Sequence, residues 1–452
     1  MCAEKKLTKE QLLAKAKKPA EDAMKMHPFY KGKIEVSPKA CIRSIDDFAI
    51  WYTPGVAAPC MDIHKHPETV YEHTNKGNFV AVVSDGTRVL GLGDIGPEAA
   101  LPVMEGKAML FKYLGGVDAF PICLDTKDPD KIIETVKLLQ PTFGGINLED
   151  IAKPKCFRIL DTLRRECRIP VWHDDQQGTA AVTVAGLINA LKLVGKPMDQ
   201  VKLCLVGAGA ANIRIAHLCI QAGVTAGHMI VCDSRGTLHR GRTEVKAEEP
   251  EKWALAEITN ESQLAGDTPA AMQGADVLIS LSRSGPDVIK KDWVAAMAKG
   301  AVVFVCANPI PEIWPWEAKE AGARIVATGR SDFPNQVNNS VGFPGIFRGT
   351  LDVRARTITD EMCLAAAREL AKTAEDKGMD EDHLLPTMDD WEVFPREAAA
   401  VGMKAVEQGV ALRTDVTFEG LRKEAEVIIK RARDAMTCVQ VQGFIRPYTP
   451  KA

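Results

Sequence analysis

The stretch VKLCLVGAGAANIRIAHLCIQAG, residues 201–223, decides the fold. Val201–Val206 is the apolar run of a buried strand, Gly207 and Gly209 interrupt it, and from Ala210 apolar residues recur at helical spacing. A strand that turns sharply into a helix leaves the first backbone N–H groups of that helix unpaired at the strand's end, where they can take a pyrophosphate. Gly207 and Gly209 allow the tight turn and the close approach, with Ala210, Ala211 and Asn212 completing the phosphate-facing turn. Asn212 stands where a third glycine or an alanine is usual. HMIVCDSRG (228–236) adds a second strand ending in Asp233, which follows Asn212 by 21 positions and is placed to accept hydrogen bonds from an adenosine ribose. The pattern predicts a Rossmann-type unit binding NAD or NADP; the structural alternative is a glycine turn with no ligand. Asp233 favours an unphosphorylated ribose, whereas Arg235, Arg240 and Arg242 could hold a 2′-phosphate.

Working outward, ADVLISLS (275–282), AVVFVCANP (301–309) and ARIVATG (323–329) continue the sheet to about residue 328. Upstream, PVMEGKAMLFKYLGG, DKIIETVKLLQ and CFRILDTLRREC read as helices between the strands VDAFPICLD, FGGINLED and IPVWHDD. Such alternation predicts a second, mostly parallel sheet. FVAVVS (79–84) and TRVLGLG (87–93) flank Asp85-Gly86, which predicts a two-residue hairpin. After Arg348 the chain turns helical, ending in FEGLRKEAEVIIKRARDAM. The fold class expected is α/β: an N-terminal catalytic and metal-binding domain (1–175), a Rossmann-type domain with a parallel sheet (176–350) and a helical C-terminal segment (351–452).

The 452 residues suffice for about three lobes. A hydrophobic content of 46% provides an ample core, and a net charge of −3 gives no electrostatic case for nucleic acid or an anionic membrane. The 12 cysteines are scattered without a C-x-x-C pair, which reads as reduced, core-filling thiols in the cytoplasm. The N-terminal stretch MCAEKKLTKEQLLAKAKK has no apolar signal core, and no run of about 18 apolar residues follows.

VWHDDQQGTA (171–180) places Asp174 and Asp175 side by side at a strand end. Two carboxylates about 4–5 Å apart repel by roughly 3–4 kcal/mol at an effective dielectric near 20, so a positive partner is required. Glu149-Asp150 also ends a strand, and strand ends of a parallel sheet gather ligands. Glu149, Asp150 and Asp175 thus offer three hard oxygen ligands suited to Mg²⁺ or Mn²⁺. The alternative is that the aspartates cap the helix that follows.

Seven segments together resemble the malic enzyme family: WYTPGVA (51–57), SDGTRVLGLGDIGPEAALPVMEGK (84–107), INLED (146–150), HDDQQGTA (173–180), VGAGAAN (206–212), CANPIPEI (306–313) and FPNQVNNSVGFPGIFRG (333–349). The wording is similar to its shorter, prokaryote-like branch. The resemblance implies NAD(P)- and metal-dependent oxidative decarboxylation of (S)-malate by a homodimer or higher homo-oligomer. It implies Lys107 as catalytic lysine, Tyr52 as catalytic tyrosine and Glu149, Asp150 and Asp175 as metal ligands. It also implies Arg88 on a malate carboxylate, with Asn308 and Asn339 near substrate and nicotinamide. No second catalytic domain is expected after residue 452.

The chemistry asks for the same groups. Oxidising a hydroxyl needs a base, and burial beside a dication favours a neutral Lys107. Tyr52 would return a proton to C3 of enolpyruvate, its Thr-Pro-Gly neighbours fixing it on a loop. The plainer readings are a solvated lysine, a core tyrosine and, for Arg88, a surface ion pair. A malolactic-type enzyme, a metal-free dehydrogenase with a catalytic lysine and a silent nucleotide-binding regulator remain as other functions for this layout.

Overall fold

The computed structural model describes residues 9–449, so the start of the N-terminal stretch lies outside the described residues. Two sheets carry the architecture. The first has the order β2-β1-β3-β4, with β1 Phe79–Ser84, β2 Asp118–Cys123, β3 Gly145–Leu148 and β4 Val171–His173, all parallel. The second has the order β10-β9-β8-β5-β6-β7. Its strands are β5 Leu203–Val206, β6 Met229–Asp233, β7 Gly236–Thr237, β8 Val277–Ser280, β9 Val302–Val305 and β10 Ile325–Thr328. Only β7 runs antiparallel to its neighbour.

Register decides what the first sheet presents. Val83 pairs with Leu148 and Leu148 with His173. The chain therefore leaves β1, β3 and β4 at one level, and Asp85, Glu149-Asp150 and Asp174-Asp175 emerge on the same edge. In the second sheet Val206 pairs with Cys232 and Ser280, and Val305 with Ser280 and Thr328. Gly207, Asp233, Ser282 and Asn308 consequently share the corresponding edge.

The hairpin expected at Asp85-Gly86 does not form. Both sides of β1 are occupied by parallel neighbours, so no edge is left for Thr87–Gly93 to pair with. Instead the carbonyl of Gly86 accepts the N–H groups of Ile95 and Gly96, each at 3.2 Å, closing a loop. Gly86 has φ +68° and packs on Gly96, so no side chain fits there.

The helix Thr179–Val194 is apolar all round, and it is buried accordingly. The segment Asp174–Val194 is long and apolar enough to cross a membrane, but it lies inside the core. The C-terminal helices close that core: Asp360–Asp376 packs on Thr179–Val194, while Phe343–Asp352 and Phe418–Val441 pack on Pro97–Gly115.

Glu397, on the helix Val393–Glu407, is fully buried and packed against Gly345, with no partner for either carboxylate oxygen. Burial and then Glu369 push its carboxyl well above the ordinary range. A folded-state value above the unfolded one means that stability is lost as pH rises past the unfolded value. Glu397→Gln has no such loss. Its thermal midpoint should exceed the parent's by about 2–4 °C at pH 8 and converge with it towards pH 4. Scanning calorimetry at both pH values checks this; a gap independent of pH would refute the assignment.

Candidate active site

Lys107 lies on the helix Pro97–Gly115 and is only 7% exposed. Its Nζ donates to Asp174 Oδ2 at 2.5 Å, pairs with Glu149 Oε1 at 3.1 Å and sits 4.2 Å from the centre of the Phe343 ring. The positive partner demanded by the aspartate pair is therefore this lysine. Burial alone would push the ammonium's pKa down, but Asp174 and Glu149 outweigh it and hold it above the usual lysine range. The expectation of a neutral lysine is thus not met by the chain alone, because the two carboxylates act against desolvation.

The two aspartates of the pair part ways. Asp174, fully buried, also receives Trp172 Nε1–H at 3.2 Å and the Asn339 amide. Asp175 turns the other way, its Oδ2 accepting the N–H of Asp150 at 2.9 Å. Neither caps the helix that follows. The capping alternative is thereby removed.

Asp150 has a left-handed backbone, φ +55°. Its carbonyl accepts the N–H of Arg88 at 2.9 Å, while its Oδ2 is buried without a partner. Glu149 is held by Asn147 Nδ2–H at 2.8 Å. Ligand oxygens of Glu149, Asp150 and Asp175 lie within 4.8 Å of one another. Burial, then Asp175, pushes the Asp150 carboxyl up to about 8. Burial also raises Glu149, with the neighbouring aspartates adding to the shift against the pull of Lys107. Three hard carboxylates with one buried, unbonded oxygen fit a divalent cation such as Mg²⁺ or Mn²⁺.

Arg88 is exposed at the rim of this cluster, its Nη1 donating to Leu90 O at 2.8 Å. Gly91 of the same loop packs on the carbonyl of Asn308, so this loop joins the edges of the two sheets. Asn339 reaches in from the second half to Asp174. Tyr52 is not brought to this group. It follows the short helix Phe48–Trp51, the residue is 70% exposed, and no hydrogen bond, ion pair or ring contact joins it to the cluster.

In the second sheet Gly207 has φ +96°, and a side chain there would strike Leu281 O at 2.6 Å and Ser282 Cα at 2.8 Å. Gly209 starts the helix Ala210–Ala222 with open space beside it and no side-chain cap, leaving the first-turn N–H groups of Ala210, Ala211 and Asn212 free. The Asn212 side chain is buried and spent inside the turn, donating to Val206 O at 2.9 Å and Gly207 O at 2.8 Å. Asp233 differs from expectation too: Arg235 N–H, Arg242 and Lys252 already occupy its carboxylate.

Sequence reasoning missed Glu312. Fully buried, it accepts from Ser280 Oγ at 2.8 Å, Ser282 N–H at 3.0 Å and Ala307 N–H at 3.1 Å, tying the ends of β8 and β9 together. The segment CANPIPEI contains it, but nothing local shows that its acceptors face two strand ends.

A Rossmann-type sheet carrying a phosphate-ready turn, joined at its edge to a buried lysine and a carboxylate cluster, defines a dinucleotide- and metal-dependent oxidoreductase. Residues 31–164 match the malic enzyme N-terminal domain and residues 176–406 the malic enzyme NAD-binding domain. The chain is 52% identical to the bifunctional malic/malolactic enzyme of Bacillus subtilis (strain 168), over 86% of this chain and 94% of that one. It is 49% identical to the NAD-dependent malic enzyme of Geobacillus stearothermophilus, over 86% and 80%. The crystal structure of Entamoeba histolytica malic enzyme superposes with a TM-score of 0.96 at 50% identity, covering 99% of this chain and 94% of that chain. The chain belongs to the malic enzyme family.

Proposed function

We propose that the chain converts (S)-malate and NAD(P)⁺ to pyruvate, CO₂ and NAD(P)H. The observation that carries this reading is Lys107, buried between the Glu149 of the carboxylate cluster and Asp174, which Asn339 of the second half also bonds. In this reading Lys107 would first give up its own proton when a dication offsets the carboxylates that hold it, and the neutral amine accepts the C2 hydroxyl proton as hydride leaves C2 for the nicotinamide. The C3–C4 bond then breaks, CO₂ departs, and the electron pair left behind forms enolpyruvate, which takes a proton at C3. Glu149, Asp150 and Asp175 hold the divalent cation, which when bound supplies a Lewis acid for the C2 oxygen. Arg88 grips a malate carboxylate from the rim, Asn308 and Asn339 line the substrate and nicotinamide side, and Gly207, Gly209, Ala210 and Ala211 receive the pyrophosphate. The labour divides among residues 1–175, 176–350 and 351–452 as metal and lysine lobe, dinucleotide lobe and helical buttress.

Reduction of each coenzyme with malate, with and without Mn²⁺, while pyruvate and lactate are assayed, tests the reading. Pyruvate formed in step with reduced coenzyme supports it. Lactate without net reduction would replace it by the malolactic activity in the Bacillus subtilis relative's name.

Tyr52 is the proton donor in this reading, and it acts in the site of a second copy. Its exposed ring lies among exposed Ile45, Phe48, Ile50 and Trp51, an apolar band that a second copy would cover. The free thiols of the eleven described cysteines support work in a reducing cytoplasm. Tyr52→Phe should reduce exchange of pyruvate methyl hydrogens with D₂O, followed by NMR with Mn²⁺ and reduced coenzyme, to near background while malate binding persists. Mixing Tyr52→Phe with Lys107→Arg chains, which keep the charge that buried Asp174 needs, under conditions of subunit exchange should restore turnover, because one site of each mixed dimer then has both groups intact. Parent-rate exchange would remove Tyr52 from the acid role. Failure of mixing to restore turnover would place the tyrosine in its own chain's site.

A further inference from the structure

The surroundings of Asp233 point to one coenzyme. Its position at the end of β6 is that of a ribose-binding acid, and the Gly207 turn is held beside it by Gly207 N–H donating to Cys232 O at 2.9 Å. A ribose diol would need free acceptor positions on that carboxylate. Oδ1 already receives Arg235 N–H at 2.8 Å and Arg242 Nη1 at 3.1 Å; Oδ2 receives Arg242 Nη2 at 3.3 Å and Lys252 Nζ at 3.1 Å. Four donors fill two carboxylate oxygens, and the side chain is 7% exposed. Asp233 is thus an anchor for a guanidinium fork, and a ribose diol finds its acceptor taken.

Two arginines stand outside this buried pairing. The Arg235 side chain is 63% exposed, and its carboxylate neighbour Glu248 stands 3.7 Å away, beyond hydrogen-bond distance. Arg240 is exposed and spends its guanidinium on the backbone carbonyl of Glu257. Glu244 accepts from Arg242 Nε at 2.6 Å and Glu249 from Lys252 Nζ, so these two cations are paired with acids on both sides and lie largely buried. Arginines present planar, multidentate donors suited to a phosphate.

We propose that this chain selects the 2′-phosphorylated dinucleotide, with exposed Arg235 as the residue that recognises the 2′-phosphate and Arg242, bonded across both oxygens of Asp233, as the positioning residue that closes that carboxylate to a ribose diol. The proposal deepens the coenzyme part of the function proposed above and rests on it. The probes are 2′,5′-ADP and 5′-ADP, titrated calorimetrically against the full chain without metal or malate, alongside NADPH and NADH. The expected result is tighter binding of the 2′-phosphorylated member of each pair by about tenfold or more, as befits charge-assisted bidentate contacts. Arg242→Ser should remove that preference and at the same time tighten 5′-ADP and NADH, because Asp233 regains free acceptors. A merely structural loss would weaken all four ligands alike. Arg235→Ser, at an exposed position that leaves Asp233's anchor intact, should weaken only the phosphorylated pair. Equal or tighter binding of the unphosphorylated ligands by the parent, or parallel weakening of all four in Arg242→Ser, overturns the inference. Failure of all four ligands to bind would instead overturn the dinucleotide reading on which it rests.

Discussion

Lys107→Ala is expected to lower malate oxidation by about 10²–10⁴-fold, the usual contribution of a positioned general base. The size follows from placement. Among the described residues the amine is the one cation bonded to both Asp174 and Glu149, and the Phe343 ring covers it, so water does not readily replace it. Removing it also leaves Asp174, fully buried, without its countercharge, a change that is strongly destabilising in its own right. Alanine alone would therefore confuse lost chemistry with lost fold. Lys107→Arg separates them: arginine keeps the charge that Asp174 and Glu149 need, yet it does not give up its proton in proteins. The arginine variant should melt close to the parent while losing as much activity as the alanine variant. Small amines should partly restore Lys107→Ala by entering the vacated space. An activity loss under about fivefold in a folded Lys107→Ala protein, well below the general-base range, would show that another group takes the proton.

How much of this was legible before the structure varies with the range of the interaction concerned. Alternating strand and helix patterns place both parallel sheets because periodicity is local and each strand is a short apolar run. The trio Glu149, Asp150 and Asp175 was readable as well, since parallel strand ends fall on one edge and two of those ends carry acidic pairs. The hairpin at Asp85-Gly86 failed because turn chemistry says nothing about whether a strand's sides are already taken, and β1 is central. The split of Asp174 from Asp175 depends on Lys107, 67 positions away, and on Asn339 beyond it. No window of sequence holds all three. Asp233 illustrates the same limit at shorter range. Its residue type and spacing suit a ribose, but Arg242 and Lys252 reach it only because the chain after β7 folds back over the strand end.

Asp175→Asn should act on stability and on metal affinity in opposite directions. In the metal-free chain Asp175 adds a negative charge to a cluster where burial and mutual repulsion already push the Asp150 and Glu149 carboxyls up. An asparagine keeps a carbonyl oxygen to accept the Asp150 N–H, now bonded at 2.9 Å, and removes that charge, so the metal-free variant should melt no lower than the parent. For Mn²⁺ the outcome reverses. An amide oxygen is a weaker ligand than a carboxylate, and even groups that only orient a ligand are worth about 10–100-fold in affinity, so losing a ligand's charge should weaken Mn²⁺ by about 100-fold. The rise in melting temperature on adding Mn²⁺, which follows the ratio of metal concentration to dissociation constant, should shrink accordingly. Binding of 2′,5′-ADP should be untouched, because the nucleotide edge belongs to the other sheet. Calorimetric melting with and without Mn²⁺, together with direct titration of Mn²⁺, measures both effects. An Mn²⁺ affinity equal to the parent's would take Asp175 out of the metal site and leave it as the residue that fixes the left-handed turn at Asp150.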